Sequence, residues 1–190
     1  MRVCYTLLAL FVIAAVPAQA QSGIYLKLGD IKGESTERDH PDWMVLESFS
    51  HTLTTQVQAG GSGRTRGVPV HEPIVVDKAL GRGSVPVIEL LNTGAAAKDA
   101  EISFVRASGE RPFEYLEIKL KNVYVTSYSL NASAGDMPME SFSLVYEEIT
   151  WTYTPQRPDG SPGTPITTTY NVETNTSLVA SLSAFEARTD

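Results

Sequence analysis

Beyond the first twenty residues, apolar and polar side chains alternate with a period of two between clusters of Gly, Pro and Asn. This alternation predicts short strands that each bury one face. Val45, Phe49 and Leu53 share one parity, which predicts one long strand over residues 43–57 with these side chains directed inward. The segments with the clearest alternation are residues 24–28, 43–57, 116–125, 142–153 and 166–172.

Two of these segments change their buried parity part way along. The first change falls between Leu120 and Val123, near Lys121 and Asn122, where a β-bulge would reset the alternation. The second falls at residues 147–148. Strands that bend and change partners are what a closed or tightly curled sheet requires. The chain is therefore predicted to be mainly β, a small curled β-barrel made of two packed antiparallel sheets.

One segment breaks the strand pattern and predicts a single helix. Ser84 is a good N-cap, Pro86 suits the first turn, and Gly94 can end the helix in the left-handed conformation. We expect one flanking α-helix of about nine residues. Its apolar face consists of Val87, Ile88, Leu90 and Leu91.

The chain after the last strong strand, residues 173–190, is predicted to be a C-terminal extension. Leu178, Leu182 and Phe185 are spaced four and three residues apart, which is compatible with a weak helix over residues 176–190. The same residues also suit an unstructured tail.

The first twenty residues have the form of a cleavable export signal. Arg2 supplies the positive charge, residues 6–16 form an almost unbroken apolar run, and residues 18–20 read Ala-Gln-Ala, a pattern that signal peptidases accept. The apolar run is shorter than the roughly 20 residues that span a bilayer. We therefore expect residues 1–20 to be removed, and the mature protein to be periplasmic or secreted with no membrane contact.

Composition narrows the class of protein further. Cleavage would remove Cys4, the one cysteine, and leave no thiol for a disulfide or a metal. The remaining chain of about 170 residues is long enough for one domain, which we place at residues 21–172. The net charge of −7 at pH 7 argues against binding to nucleic acid or to anionic membranes, because both favour clustered Lys and Arg.

Candidate catalytic or metal-binding residues are few. His40, His51 and His71 stand in none of the usual ligand spacings, and we interpret them as solvent-facing or partly buried histidines. The acidic residues between 30 and 42 lack the alternating oxygen ligands of a calcium loop. We therefore expect no metal, no cofactor and no enzyme activity. A hydrolase built around His51 or His71 is the weakest hypothesis.

Residues 59–67, Ala-Gly-Gly-Ser-Gly-Arg-Thr-Arg-Gly, superficially suggest a phosphate-binding loop. A P-loop needs Gly-Lys-Ser/Thr at the start of a helix, and here more strand follows. A flexible loop is the simpler interpretation. The functional alternative is a mobile arm that becomes ordered on a partner subunit, where Arg64 and Arg66 would meet acidic groups.

Several motifs follow one another in a specific order along residues 24–172. Residues 24–35 read Ile-Tyr-Leu-Lys-Leu-Gly-Asp-Ile-Lys-Gly-Glu-Ser, residues 113–116 read Phe-Glu-Tyr-Leu, and residues 151–156 read Trp-Thr-Tyr-Thr-Pro-Gln. Together with the glycine-rich stretch and the single predicted helix between them, they resemble the Hcp family (hemolysin-coregulated protein), the tube subunit of the bacterial type VI secretion system.

The resemblance implies a curled β-barrel with one helix and hexameric rings that stack into a hollow tube, with effector cargo in the lumen and no covalent chemistry. The implied partners are the chain itself and the effector and spike proteins of the secretion system. It also implies that the glycine-rich loop reaches toward the adjacent ring. The residues predicted for this ring-stacking loop are Gln56, Gly60, Gly61, Gly63, Arg64 and Arg66.

Two functional hypotheses follow. The first is a non-enzymatic structural protein of the Hcp type that forms rings. The alternative is an exported Hcp-like paralogue that keeps the barrel and acts as a periplasmic or extracellular binding module, and the signal sequence is its motivation.

Overall fold

The structure, a computed structural model, describes residues 22–60, 63–108 and 111–179. The predicted signal at residues 1–20 lies outside these residues. The elements are β1 (Gly23–Leu28), β2 (Met44–Leu46), β3 (Ser48–Ser50), β4 (Leu53–Thr54), β5 (Val57–Gly60), β6 (Gly63–Arg66), β7 (Val70–His71), β8 (Ile74–Ala79), α1 (Ser84–Thr93), β9 (Ala97–Ser108), β10 (Arg111–Asn131), β11 (Met139–Val145), β12 (Glu148–Tyr153), β13 (Ile166–Asn171) and β14 (Thr176–Val179).

The long strand β10 belongs to two antiparallel sheets at once. Its first half pairs with β9 and β12, in a sheet ordered β2–β1–β9–β10–β12–β13–β14. Its second half pairs with β11, in a sheet ordered β10–β11–β8–β3. The sheets enclose a core of aliphatic and aromatic side chains. The predicted mainly β fold, with two sheets and one helix, is confirmed.

Both predicted changes of face are present. In β10, Leu120 and Val123 are both buried, and Asn122 between them has a φ of 49°, a left-handed conformation that Asn tolerates. The register shifts of β10 lie elsewhere, at residues 114–116 and 125–127, so the change of face at Asn122 is a backbone kink and not the predicted bulge. The second change is a full break between β11 and β12.

The prediction of one long strand over residues 43–57 is wrong. The segment forms the three short strands β2 to β4 and the first residue of β5, with Met44 and Leu46 in the core and Val45 on the surface. The physical reason is a change of sheet at Glu47, because β2 pairs with β1 whereas β3 pairs with β8. A chain that crosses between sheets does not keep one parity.

The helix forms where the sequence predicts it. Gly94 follows Thr93 with a φ of 66°, which confirms the left-handed helix end. The cap is different from the prediction, because Gly83 occupies the N-cap position and Ser84 is already helical. The Ser84 hydroxyl instead accepts a hydrogen bond from the Gly81 N–H at 2.9 Å. Val87, on the inner face of the helix, is completely buried.

The C-terminal extension begins as a strand. β14 pairs with β13 over four residue pairs, so of the weak helix considered for residues 176–190 the part over 176–179 is wrong. Residues 180–190 lie outside the described residues. The strand lengthens the first sheet and changes which side chains lie beside β13.

A buried ion pair joins the second sheet to the helix. Lys78 on β8 lies opposite Glu140 on β11, and the Lys78 Nζ is 2.7 Å from the Glu140 Oε1. The Tyr128 hydroxyl donates to the Glu140 Oε2 at 2.8 Å, and Lys78 also donates to the Ala79 carbonyl and the Ser84 hydroxyl. Both charged side chains are almost completely buried. Such a pair is tolerated because every charged group has partners of opposite polarity.

We predict that Glu140→Leu destabilises the protein by about 3–5 kcal/mol, because it leaves a buried ammonium group without its carboxylate. The double variant Lys78→Met with Glu140→Leu should recover most of this loss. Urea unfolding followed by circular dichroism measures both effects. The control is Lys32→Met, which removes the exposed Lys32–Asp42 pair and should have a much smaller effect. A Glu140→Leu variant as stable as the wild type would contradict the prediction.

Candidate assembly surface: a projecting hairpin and its anchor

A long hairpin, residues 51–72, projects from the two-sheet body, and we call it the arm. Its base is the β4–β7 pair and its outer part is the β5–β6 pair. In the described residues these four strands pair only with each other. The Gly67 N–H donates to the Gln56 carbonyl at 2.8 Å between the two pairs, which joins them into one hairpin. Two strands alone are marginally stable in water, so the arm needs contacts at its base or its tip.

The structure brings the predicted ring-stacking residues together on this arm. Gln56 directly precedes β5, and Gly60 pairs with Gly63 at the end of the β5–β6 ladder. Arg64 and Arg66 occupy register positions on β6, opposite Ala59 and Val57. Gly61 lies outside the described residues. The described residues of this segment pair as β5 and β6, and no helix follows directly to complete a phosphate site.

The arm exposes aliphatic side chains to solvent. The exposed fractions are 50% for Leu53, 58% for Val57, 58% for Val68 and 52% for Val70. Single exposed aliphatic residues are ordinary, but four on one two-stranded hairpin are suited to contact with another surface.

Two histidines anchor the base of the arm to a single hydroxyl group. His51 precedes β4 and His71 ends β7. The His51 Nε2 lies 2.7 Å from the Tyr146 hydroxyl, and the His71 Nδ1 lies 2.9 Å from the same atom. A phenol can donate one hydrogen bond and accept another, so it can serve both neutral imidazoles at once. Both ends of the arm are thus bound to the break between β11 and β12.

Aromatic packing reinforces this anchor. The His51 ring stacks on Trp151 with 6.0 Å between centroids and an 18° angle. The His71 ring stacks on Tyr170 at 4.6 Å and 10°. The sequence does not reveal this cluster, because the histidines are twenty residues apart and their partners lie on β12, on β13 and in the break between β11 and β12. The one available signal is that the two histidines flank the glycine-rich segment on either side.

Burial keeps the anchor uncharged at neutral pH. Desolvation, with a smaller contribution from the nearby His71, lowers the pKa of His51 to about 4. Desolvation also lowers the pKa of His71 and raises the pKa of Tyr146. The three groups therefore form a neutral hydrogen-bonded set, which is suited to holding the arm in place.

The third histidine has a different role. His40 is buried apart from the arm, with its Nδ1 2.7 Å from the Glu37 Oε2 and its ring stacked on Tyr25. Burial opposes its charge, but the carboxylates of Glu114 and Glu37 more than offset this and raise the pKa of His40. It fastens the loop before β2 to the first sheet.

Two further properties of the described residues concern metal binding and membrane insertion. Among the described residues, no three His, Cys, Asp or Glu side chains are grouped as a metal site would need. In the same part of the chain, no helix is both long enough and apolar enough to cross a bilayer.

The comparisons with known proteins agree with the fold. The family model described as "Type VI secretion system effector, Hcp" matches residues 25–153. The chain belongs to the Hcp family. It is therefore a type VI secretion system protein of the secreted Hcp type, and the resemblance read from its motifs is confirmed.

Individual relatives support the assignment. "Protein hcp1" of Pseudomonas aeruginosa is 28% identical over 155 residues, which cover 80% of this chain and 96% of that protein. "Major exported protein" of the same species is 26% identical over 140 residues, covering 70% of this chain and 81% of that protein. A solved structure described as a type six secretion system protein superposes with a TM-score of 0.78 at 26% identity, covering 83% of this chain and all of that one.

We predict that acid weakens the anchor of the arm before it unfolds the body. An unfolded histidine titrates near pH 6.5, whereas His51 in the folded chain titrates at about 4, so the stabilisation is complete above about pH 6.5 and is lost as pH falls toward 4. Amide hydrogen exchange of residues 53–57 and 67–71, corrected for the intrinsic pH dependence, should show loss of protection in this range.

The matched variant is His51→Gln, which keeps a hydrogen-bonding group but does not titrate. It should reduce the pH dependence at the arm, with the remainder due to His71, and leave the exchange of β9 unchanged. Equal pH dependence in the wild type and in this variant would contradict the proposed origin of the effect.

Proposed function

We propose that the mature protein is a non-enzymatic structural subunit that forms hexameric rings. These rings stack into a tube that carries effector proteins and meets the spike proteins of the secretion system. Family membership supports the type of assembly, and the arm supports the contact between rings. The arm is the observation that carries the proposal, because a two-stranded hairpin with four exposed aliphatic side chains is stabilised by contact with a second surface.

Charge supports the same contact. The outer half of the arm contributes Arg64 and Arg66, whereas the whole chain has a net charge of −7. The basic tip of one copy is therefore complementary in charge to the acidic remainder of a second copy. Apolar contact supplies affinity, and this charge difference helps to orient the approaching ring.

The expected test is the double variant Val57→Asp with Val70→Asp, at two exposed positions of the arm. Light scattering after size exclusion should give a six-subunit mass for the wild type and for the variant. Negative-stain microscopy at high concentration should show end-to-end stacks for the wild type only, because burying a carboxylate in the contact is unfavourable. The control is Val85→Asp on α1, where the side chain is 72% exposed and distant in the chain from the arm. A strictly monomeric wild type would overturn the proposal.

The predicted export signal favours a second candidate function, an exported Hcp-like module that binds partners in the periplasm or outside the cell. We predict that mass spectrometry of the native protein finds Gln21 as its first residue, and that cell fractionation finds it outside the cytoplasm. An unprocessed cytoplasmic product would rule out this candidate and leave the tube subunit. A processed product that also forms rings would place the assembly outside the cytoplasm.

A further inference from the structure

An open cleft of about 640 Å³ lies between the base of the arm and strands β12 to β14. We call it the arm cleft. Its volume falls within the range of small-molecule sites, about 300–1,000 Å³. The arm contributes an apolar wall that includes Leu53 and Val68, and the side chains used in the following argument are Trp151, Thr168, Tyr170, Asn175 and Ser177.

The aromatic floor of the cleft is held in place before any ligand arrives. Trp151 and Tyr170 each lie against one of the two anchored histidines, and both are only half-buried. The Tyr170 hydroxyl donates to the Asn175 Oδ1 at 3.1 Å, which fixes the rim to the floor. A site whose rings are already ordered loses little conformational freedom on binding.

Neutral hydrogen-bonding groups surround this floor. Thr168 and Ser177 contribute hydroxyls, and Asn175 contributes a carboxamide whose Nδ2 remains a donor while its Oδ1 accepts from Tyr170. Thr168 and Tyr170 share one face of β13, and Ser177 is the residue of β14 paired with Tyr170. The aromatic and polar groups therefore meet along one side of the cleft.

Among the described side chains, the cleft lining includes no Asp, Glu, Lys or Arg, although the whole chain has a net charge of −7. The one titratable imidazole in the lining, that of His71, is held neutral by burial. A phosphate, nucleotide or carboxylate ligand would find no ion of opposite charge here, so ionic ligands do not fit. A purely apolar peptide would leave the hydroxyl and amide groups without partners.

We propose that the arm cleft binds a neutral oligosaccharide. The C–H faces of a pyranose ring pack on aromatic rings, whose faces carry partial negative charge, while its hydroxyls exchange hydrogen bonds with Thr168, Asn175 and Ser177. The polar side lies on β13, on β14 and in the turn between them, C-terminal to the family match over residues 25–153. Binding at the cleft does not depend on ring formation.

The chain itself supplies a reporter for the test. It contains two tryptophans, Trp43 and Trp151, so Trp43→Phe leaves the cleft residue as the single fluorescent indole. We expect at least one of maltotriose, cellotriose and chitotriose to shift this fluorescence with a Kd of about 1 mM or tighter. Trigalacturonic acid, which carries carboxylates, should bind at least tenfold more weakly. Ligand-observed saturation transfer by NMR gives an independent readout.

Two rim variants test the location, and both positions are exposed, so folding should be preserved. Ser177→Ala removes one hydroxyl. Asn175→Asp keeps the acceptor for Tyr170 and tolerates the left-handed φ of 53°, but it loses the amide donor. Each should weaken binding by about threefold to tenfold. Tyr124→Ala, at an exposed tyrosine outside the cleft, is the control and should bind as the wild type does.

The proposal is overturned if none of the three neutral trisaccharides changes the Trp151 fluorescence or gives saturation transfer at about 10 mM. It is equally overturned if binding is unchanged in both rim variants, or if the charged trisaccharide binds as well as the neutral ones. Ring formation is measured separately by light scattering. Loss of saccharide binding in variants that still form rings separates this site from the assembly.

Discussion

The fold depends on one constraint. Strand β10 belongs to two sheets, so it must bury even-numbered side chains such as Leu120 and, further along, odd-numbered side chains such as Val123. Alternation places successive residues on opposite faces, so a strand that serves two sheets has to change face once. Asn122 makes this change with a left-handed backbone. The break between β11 and β12 lies directly beside it, because the Glu147 N–H donates to the Lys121 carbonyl at 3.0 Å and the Asn122 Nδ2 donates to the Glu147 carboxylate. The two changes of direction support each other.

The same junction determines where the arm begins. Tyr146 directly follows β11 in this break, and its hydroxyl is hydrogen-bonded to both His51 and His71. The Val172 N–H donates to the Glu147 carbonyl at 2.7 Å, so the strand that carries Tyr170 ends at the same point. The curled body, the base of the arm and the wall of the cleft therefore share one hydrogen-bonded junction. A change in the junction would affect the orientation of the arm without any contact to its tip.

The parts of the fold that the sequence predicts correctly are those governed by local chemistry. The change of face near Asn122 and the helix end at Gly94 both leave a signal in neighbouring residues. The crossing at Glu47 leaves no such signal, because the partner strands β1 and β8 are distant in sequence, and the predicted burial of Val45 failed for that reason. The sequence does not reveal the histidine anchor for the same physical reason. His51 and His71 meet Tyr146, Trp151 and Tyr170 only because strands distant in the sequence pair with one another.

The body and the arm use buried polar groups in opposite ways. In the body, Lys78 and Glu140 are both charged partners in one network, and their hydrogen bonds with Tyr128 and Ser84 compensate for burial. At the arm, the corresponding groups are neutral, because desolvation lowers the pKa of both histidines. A neutral set needs no counter-charge, and no Asp, Glu, Lys or Arg among the described side chains lines the adjoining cleft. The property that keeps the arm in place is thus also the property that makes the cleft suited to uncharged ligands.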